Sequence, residues 1–252
     1  MKTAELAEAL VNWLRAAKEE AGAQGFVLGL SGGIDSAVVG ALCRQASPEN
    51  TLALIMPCQS NPEDAADARL VAETFGLNYR VVSLDRVYEG LVATFLPSDV
   101  EGRPAVPAEA TKIAMANLKP RLRMLTLYFH ANLYNLLVVG TGNRSELTVG
   151  YFTKYGDGGV DLLPLGDLVK SEVRELARHL GVPEKIINKP PTAGLWAGQT
   201  DEGEMGLTYE ALDRYILTGV ADPDIREKIE LLKARSEHKR SLPKIAVFSR
   251  EG

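Results

Sequence analysis

The chain has 252 residues, 46% of them hydrophobic, and 28 Lys and Arg against 33 Asp and Glu, a formal net charge of -5. That length allows one sizeable buried core and is routine for a single α/β domain, while the acidic balance argues against a general nucleic-acid-binding surface. Cys43 and Cys58 lack the spacing of a disulfide framework or zinc site, and neither a leader nor an apolar run of roughly 18 residues occurs, so a cytoplasmic protein with no membrane partner is expected.

Leu6, Leu10, Trp13, Leu14 and Ala17 share one face of an amphipathic helix over 3–22, stopped by Gly22. The apolar run 26–30 reads as a strand, a Ser-Gly-Gly corner follows, and Ala37, Val38, Ala41 and Leu42 then recur at helical spacing. Residues 51–56 read as a buried parallel strand ended by Pro57, and Asn61-Pro62 as the start of a helix to about Phe75. A third strand over 79–84 leads to a helix over 85–95 and a Pro-containing loop over 96–110. Asn117 is expected to cap a helix running to about Asn132, with Pro120 in its first turn. Residues 136–139 form the next strand, running straight into Gly140-Thr141-Gly142-Asn143-Arg144-Ser145-Glu146. The glycine-rich stretch from 153 to 169 is irregular, a helix covers about 170–180, and a loop from Pro190 runs through the acidic residues 201–204. Helices near 207–217 and 222–236 leave His238, Lys239 and Arg240 in a basic tail. Strands alternating with helices predict an α/β fold, a single-domain doubly wound parallel sheet flanked by helices.

The stretch over 29–36 carries the chemistry. A strand-turn-helix junction points unpaired backbone N–H groups and the positive end of a helix dipole at one spot, and glycines let a ligand's oxygens approach the main chain, so a phosphate belongs there. The hydroxyls of Ser31 and Ser36 add donors, whereas Asp35 puts a carboxylate where a purely anion-binding loop would not want one. A divalent cation resolves the conflict, because Mg²⁺ is held by one or two carboxylates plus phosphate oxygens. The stretch is not a Walker A loop, which needs Gly-x-x-x-x-Gly-Lys-[Ser/Thr]. Gly29-Leu30-Ser31-Gly32-Gly33 also satisfies the Gly-x-Ser-x-Gly nucleophile elbow, which would make Ser31 a nucleophile. That device normally follows several strands of its sheet, however, and has no use for Asp35 or Ser36; a purely structural glycine turn is the third reading. Ligands of parallel α/β sheets bind outside the carboxyl ends of strands, so the 29–36 and 140–146 loops should open onto one crevice.

Ser-Gly-Gly-x-Asp-Ser after a strand resembles the PP-loop of ATP pyrophosphatases, which cleave ATP between its α and β phosphates. Beyond it, Asn117-Leu118-Lys119-Pro120-Arg121, Gly140 to Glu146, Thr153-Lys154-Tyr155-Gly156-Asp157-Gly158-Gly159-Val160-Asp161, Pro164 to Lys170, Pro191 to Trp196 and His238-Lys239-Arg240 resemble NAD synthetase in order and spacing, over nearly the whole chain. The resemblance implies a two-step amidation of deamido-NAD. The nicotinate carboxylate attacks the α-phosphate of ATP, giving an adenylate and pyrophosphate, and ammonia then displaces AMP.

It further implies that Gly29, Leu30, Ser31, Gly32, Gly33, Ile34, Asp35 and Ser36, with Thr141, Lys170 and Thr192, bind ATP, and that Asp35 and Glu146 bind Mg²⁺. Arg121, Lys154, Asp161, His238 and Lys239 would bind deamido-NAD, and Asp35, Lys170 and Asp161 form the catalytic set, Asp161 orienting either a ribose hydroxyl or the incoming ammonia. Each has a plainer alternative: Glu146 a first-turn helix acid, the threonines caps, Arg121 and Lys154 solvated charges, and 238–240 a helix C-terminal cluster. Pro120 departs from the family, which more often has a small non-proline residue there. Family members are homodimers, with 122–137 the expected interface, and glutamine-dependent relatives carry an amidase domain for which 252 residues leave no room, so free ammonia is the expected nitrogen source. A GMP-synthetase-like aminase, a tRNA-modifying PP-loop enzyme, a non-catalytic ATP-binding module and a serine hydrolase are the competing functions.

Overall fold

In the computed structural model, which describes residues 1–96, 106–196 and 198–248, four apolar runs pair as one parallel sheet among those residues. They are β1 (Gly25–Gly29), β2 (Thr51–Ile55), β3 (Asn78–Val81) and β4 (Leu136–Val139), in the order β3-β2-β1-β4. Val27 is in register with Leu52 on one side and Val138 on the other, so β1 lies inside the sheet. Phe26 and Leu28 pack into one core and Val27 into another. A strand covered on both faces needs an unbroken apolar run, which is why 26–28 show no polar alternation.

The helices are α1 (Thr3–Glu20), α2 (Ile34–Ala46), α3 (Pro62–Phe75), α4 (Asp85–Phe95), α5 (Ala108–Tyr134), α6 (Arg144–Val149), α7 (Lys170–Leu180), α8 (Glu184–Ile187), α9 (Asp201–Met205), α10 (Tyr209–Thr218) and α11 (Pro223–Arg240). Residues of α1, α2, α3 and α7 share the core of Phe26 and Leu28, whereas α4 and α5 contribute Tyr88, Leu122 and Leu127 to the core of Val27 and Leu54. The sheet is therefore wound on both faces. A third cluster, including Val149, Met205, Tyr209, Leu212 and Ile229, joins α6, α9, α10 and α11. Because the chain builds outward from β1 through β2 to β3 and then returns to pair β4 on β1's other edge, the strand order reverses between β1 and β4. A crevice opens at such a point, at the carboxyl ends of the strands. No helix among the described residues is long and apolar enough to cross a membrane.

Several expectations need correction. Asn117 does not cap a helix: α5 begins at Ala108 after Pro107, so Asn117 and Pro120 are interior, and the Asn117 side chain instead accepts a hydrogen bond from Thr153 Oγ1 at 2.7 Å. The run 108–116 contains Ala and Glu, strong helix formers that extend α5 backward. Pro120 removes one backbone donor but packs against Gly156. The acidic stretch 201–204 is not loop but lies in α9, whose N-terminus is capped by Thr200. His238, Lys239 and Arg240 are the last turn of α11 rather than a tail, and β3 ends at Val81 rather than 84. Most of the 96–110 loop, 97–105, lies outside the described residues.

Candidate active site

The corner after β1 is shaped by its own hydroxyls. Ser36 Oγ donates to Gly33 O at 2.9 Å and accepts from Ser31 N at 3.2 Å, while Ser31 Oγ lies 3.0 Å from Ser36 Oγ and accepts from Gly33 N at 3.2 Å. Gly32 has φ +80, and a Cβ there would fall 2.5 Å from Asp64 O and 2.9 Å from Asp67 Cβ, so only glycine lets the turn lean on α3. Gly33 is the N-cap of α2 and supplies no side-chain cap, which leaves the first-turn N–H groups open to an anion.

Three charged side chains meet below that corner. Lys170, the first residue of α7, is fully buried and its Nζ lies 2.5 Å from Asp35 Oδ2 and 3.7 Å from Glu146 Oε1. Asn143 orients both acids: its Nδ2 donates to Asp35 Oδ1 at 2.9 Å, its backbone N donates to Glu146 Oε2 at 3.1 Å, and its Oδ1 accepts from Glu146 N at 3.0 Å. Burial opposes the charge on Lys170, but Asp35 and Glu146 outweigh it and hold the ammonium above the usual lysine range. Burial and then the Asp35 charge push the Glu146 carboxyl up. The Tyr209 hydroxyl lies within donating distance of both Glu146 Oε1, at 3.3 Å, and Asp201 Oδ2, at 3.0 Å.

Asp35, Glu146, Lys170 and Asp201 line one cavity of about 490 Å³. Of the expected ATP set, Gly29, Leu30, Ser31, Gly33, Ile34, Asp35, Ser36, Thr141, Lys170 and Thr192 border it, together with Glu146; Gly32 turns toward α3 instead. Lys239 also borders it, its Nζ donating to Gly150 O and Phe152 O at 2.7 Å each. Arg121, Lys154, Asp161 and His238 are not among its lining residues. Arg121 Nη2 donates to Lys154 O at 3.5 Å and Lys154 Nζ donates to His238 O, which groups these three outside the cavity. Both oxygens of Asp161 are engaged, by Tyr128 Oη at 2.9 Å and Val138 N at 2.8 Å.

The sequence reading passed over several groups that the fold places here. Asp213 of α10 accepts from Ser145 Oγ at 2.6 Å and Ser171 N at 2.8 Å, tying α6 to the start of α7 and so fixing Lys170. Asn143 lay inside a quoted motif without a role, and Asp201 and Tyr209 carry no local signal at all.

A family profile described as NAD synthase matches residues 6–243. An NH(3)-dependent NAD(+) synthetase from Carboxydothermus hydrogenoformans is 54% identical over 97% of this chain and 98% of that protein. Among solved structures, an NMN synthetase from Francisella tularensis superposes with a TM-score of 0.90 at 39% identity, covering 98% of this chain and 100% of that one. An NH3-dependent NAD synthetase from Campylobacter jejuni gives a TM-score of 0.77 at 31% identity, covering 98% and 100%. With a profile match spanning nearly the whole chain and relatives this similar along their full length, the chain belongs to the NAD synthase family.

Proposed function

We propose that the protein amidates deamido-NAD with ammonia at the expense of ATP, acting as one domain and releasing NAD, AMP and pyrophosphate. The observation that carries this reading is the convergence on one cavity of an uncapped helix N-terminus, two carboxyl groups and a buried lysine, at the carboxyl ends of β1 and β4. A carboxylate resists amines until one of its oxygens becomes a good leaving group. Its oxygen attacks the α-phosphorus, the bond to the β-phosphate oxygen breaks, and pyrophosphate departs. Ammonia then attacks the acyl carbon, AMP leaves with its oxygen, and the nitrogen loses a proton. The 31–36 corner cradles phosphate oxygens, Lys170 neutralises charge as it develops, and Thr141 and Thr192 offer hydroxyls at the cavity wall.

Asp35 and Glu146 would hold Mg²⁺. Both carboxyl groups already reach one cation, the Lys170 ammonium, and two carboxylates plus phosphate oxygens form an ordinary Mg²⁺ donor set. Bound there, the ion would offset triphosphate charge and improve pyrophosphate as a leaving group. The buried thiols of Cys43 and Cys58 suit a reducing cytoplasm.

The Francisella structure favours a second reading, in which the acid substrate is nicotinate mononucleotide and the product NMN. Arg121, Lys154 and His238 separate the two. Lying outside the cavity, they suit the far nucleotide of a dinucleotide.

Incubation with ATP, Mg²⁺, ammonium and either acid nucleotide tests both readings. We expect deamido-NAD to give NAD with one AMP and one pyrophosphate, at the higher kcat/KM. A preference for the mononucleotide would select the second reading, and no amide from either would end both. For Lys154→Ala we expect a KM for deamido-NAD raised about tenfold with KM for ATP unchanged, consistent with loss of one charge-assisted phosphate contact. An unaltered dinucleotide KM would remove Lys154 from the site.

A further inference from the structure

We propose that Arg123 is a substrate-binding cation of this site, its guanidinium holding a nucleotide phosphate across the cavity from Lys170; the proposal rests on the reading above. Arg123 lies on α5 and lines the cavity. Its Nε donates to Met56 O at 3.2 Å and its Nη2 to Ser60 Oγ at 3.1 Å. Both acceptors are neutral, and both sit just beyond the carboxyl end of β2. A guanidinium has five N–H donors, so most remain unused, and Nη1 has no protein acceptor among the described residues.

The acids whose charges act on Arg123 are bonded elsewhere. Asp157 Oδ1 accepts from Thr153 N at 2.9 Å, and Asp64 Oδ1 is held by Lys189 Nζ at 2.8 Å. No carboxylate lies within ion-pair distance of Arg123 among the described residues. Asp35 and Asp67, by contrast, each have a lysine. Taking an unpaired guanidinium out of water costs several kcal/mol by general experience, a cost that persists in a cavity wall only where something else balances the charge.

The rest of that wall points the same way. Lys239 also borders the cavity, is also bonded only to neutral oxygens, and acts with Arg123 on the charge of Asp157. Lys170, by contrast, has Asp35 and Glu146 within ion-pair distance in the same cavity. Asp35 and Glu146 would meet a phosphate through a metal ion, whereas Arg123 would meet one directly. The unused edge of the guanidinium fits two phosphate oxygens at once, which a lysine ammonium does not. That phosphate belongs either to ATP or to the acid nucleotide.

Arg123→Met and Arg123→Lys decide the matter, each read by KM for both nucleotides and by thermal denaturation with and without each nucleotide. In the methionine variant we expect the unliganded melting temperature to stay the same or rise, since a half-buried charge with no ion-pair partner among the described residues is gone. We expect KM for one nucleotide to rise about tenfold or more, with loss of the thermal shift that this nucleotide gives the unmodified protein. The lysine variant should recover only part of this, because charge returns without the fork. The nucleotide affected names the phosphate. If both KM values stay within about twofold, or if the unliganded protein melts lower while both nucleotides still bind normally, Arg123 is a strut for the 56–60 segment and the proposal falls. An unmodified protein that forms no amide would refute the reaction instead, and the thermal shifts would still report whether Arg123 binds phosphate.

Discussion

Asp35, Lys170 and Glu146 share one cation between two carboxyl groups, and the position of a single proton among them governs stability as well as turnover. Burial and the Asp35 charge push the Glu146 carboxyl up to about 8. A group whose folded value exceeds its unfolded value holds its proton more tightly when folded. Its contribution to stability is complete below the unfolded value and is lost as pH rises through the folded one. Metal-free protein should therefore melt at progressively lower temperature from about pH 5 to about pH 9, and Glu146→Gln, which has no such proton to lose, should show a flatter profile. Equal slopes in the two proteins would mean that Glu146 ionises as it would in water. For Asp35→Asn the same proton predicts survival of the fold. Removing one partner of a buried ion pair ordinarily costs about 3–5 kcal/mol, but Glu146, freed from the Asp35 charge, ionises 3.7 Å from Lys170 and takes over as its counter-ion. Turnover should nonetheless fall on the order of 10²–10³-fold, as when an electrostatic group is removed from a transition state. Folded protein with full NAD formation would take Asp35 out of the phosphate chemistry.

Elements whose signal is local were legible in the chain, and elements whose signal is tertiary were not. β1, β2 and β4 announce themselves as unbroken apolar runs because both faces of the sheet are covered, and the 31–36 corner because its turn and the helix start after it are set by adjacent residues. The start of α5 was missed because Asn117 and Pro120 imitate a helix start, whereas Asn117 is recruited by Thr153, distant in sequence. Asp213, Asp201 and Arg123 carry no role in the sequence alone for a related reason: an isolated charge gains a role only through the partner that folding supplies or withholds. The end of α11 shows this most clearly. His238-Lys239-Arg240 looks like a solvated tail, yet Lys239 bonds to Gly150 O and Arg240 Nη1 to Leu147 O at 3.0 Å, placing both cations at the C-terminal end of α6, where its dipole favours them. Gly150, with φ +71, is the seat: a Cβ there would lie 2.1 Å from Ser236 Cβ. Gly150→Ala should thus cost about 1–2 kcal/mol for its left-handed backbone and about 1–3 kcal/mol more for overpacking, and should raise KM for the acid nucleotide as Lys239 is displaced. Gly181, with φ +79 and nothing within 4 Å of its missing Cβ, is the control, since Gly181→Ala meets only the backbone term. Equal losses of melting temperature in the two variants would show that α11 is not seated on Gly150.

At the scale of the whole molecule, α5 has one face in the core and another that finds no partner among the described residues. Leu122, Leu127 and Ala131 are buried against the sheet, while Leu125, Phe129 and Leu133, spaced by four residues, are 63%, 63% and 59% exposed. Tyr134 extends the stripe at the end of the helix. Scattered exposed apolar residues are ordinary, but three in line on successive turns form a continuous patch of the kind that marks an interface. A second copy of the chain suits it, because a helix crossing its own symmetry mate brings identical apolar rows together in a closed two-fold contact. The net charge of -5 on each copy would oppose that approach at long range, so burial of apolar area would have to supply any association. Two consequences separate this arrangement from an ion-paired one. Raising salt should leave the dimer intact or tighten it by screening the repulsion, and Leu125→Glu combined with Phe129→Glu should yield monomer at micromolar concentrations, as each copy would then place two new charges opposite their own images. Sedimentation of both proteins at low and high salt measures this directly. A monomer in the unmodified protein, or a dimer that survives the double substitution, would move the contact elsewhere. Because Tyr128 on this helix also holds Asp161, the same variant should raise KM for the dinucleotide more than KM for ATP if the contact steadies that edge of the site.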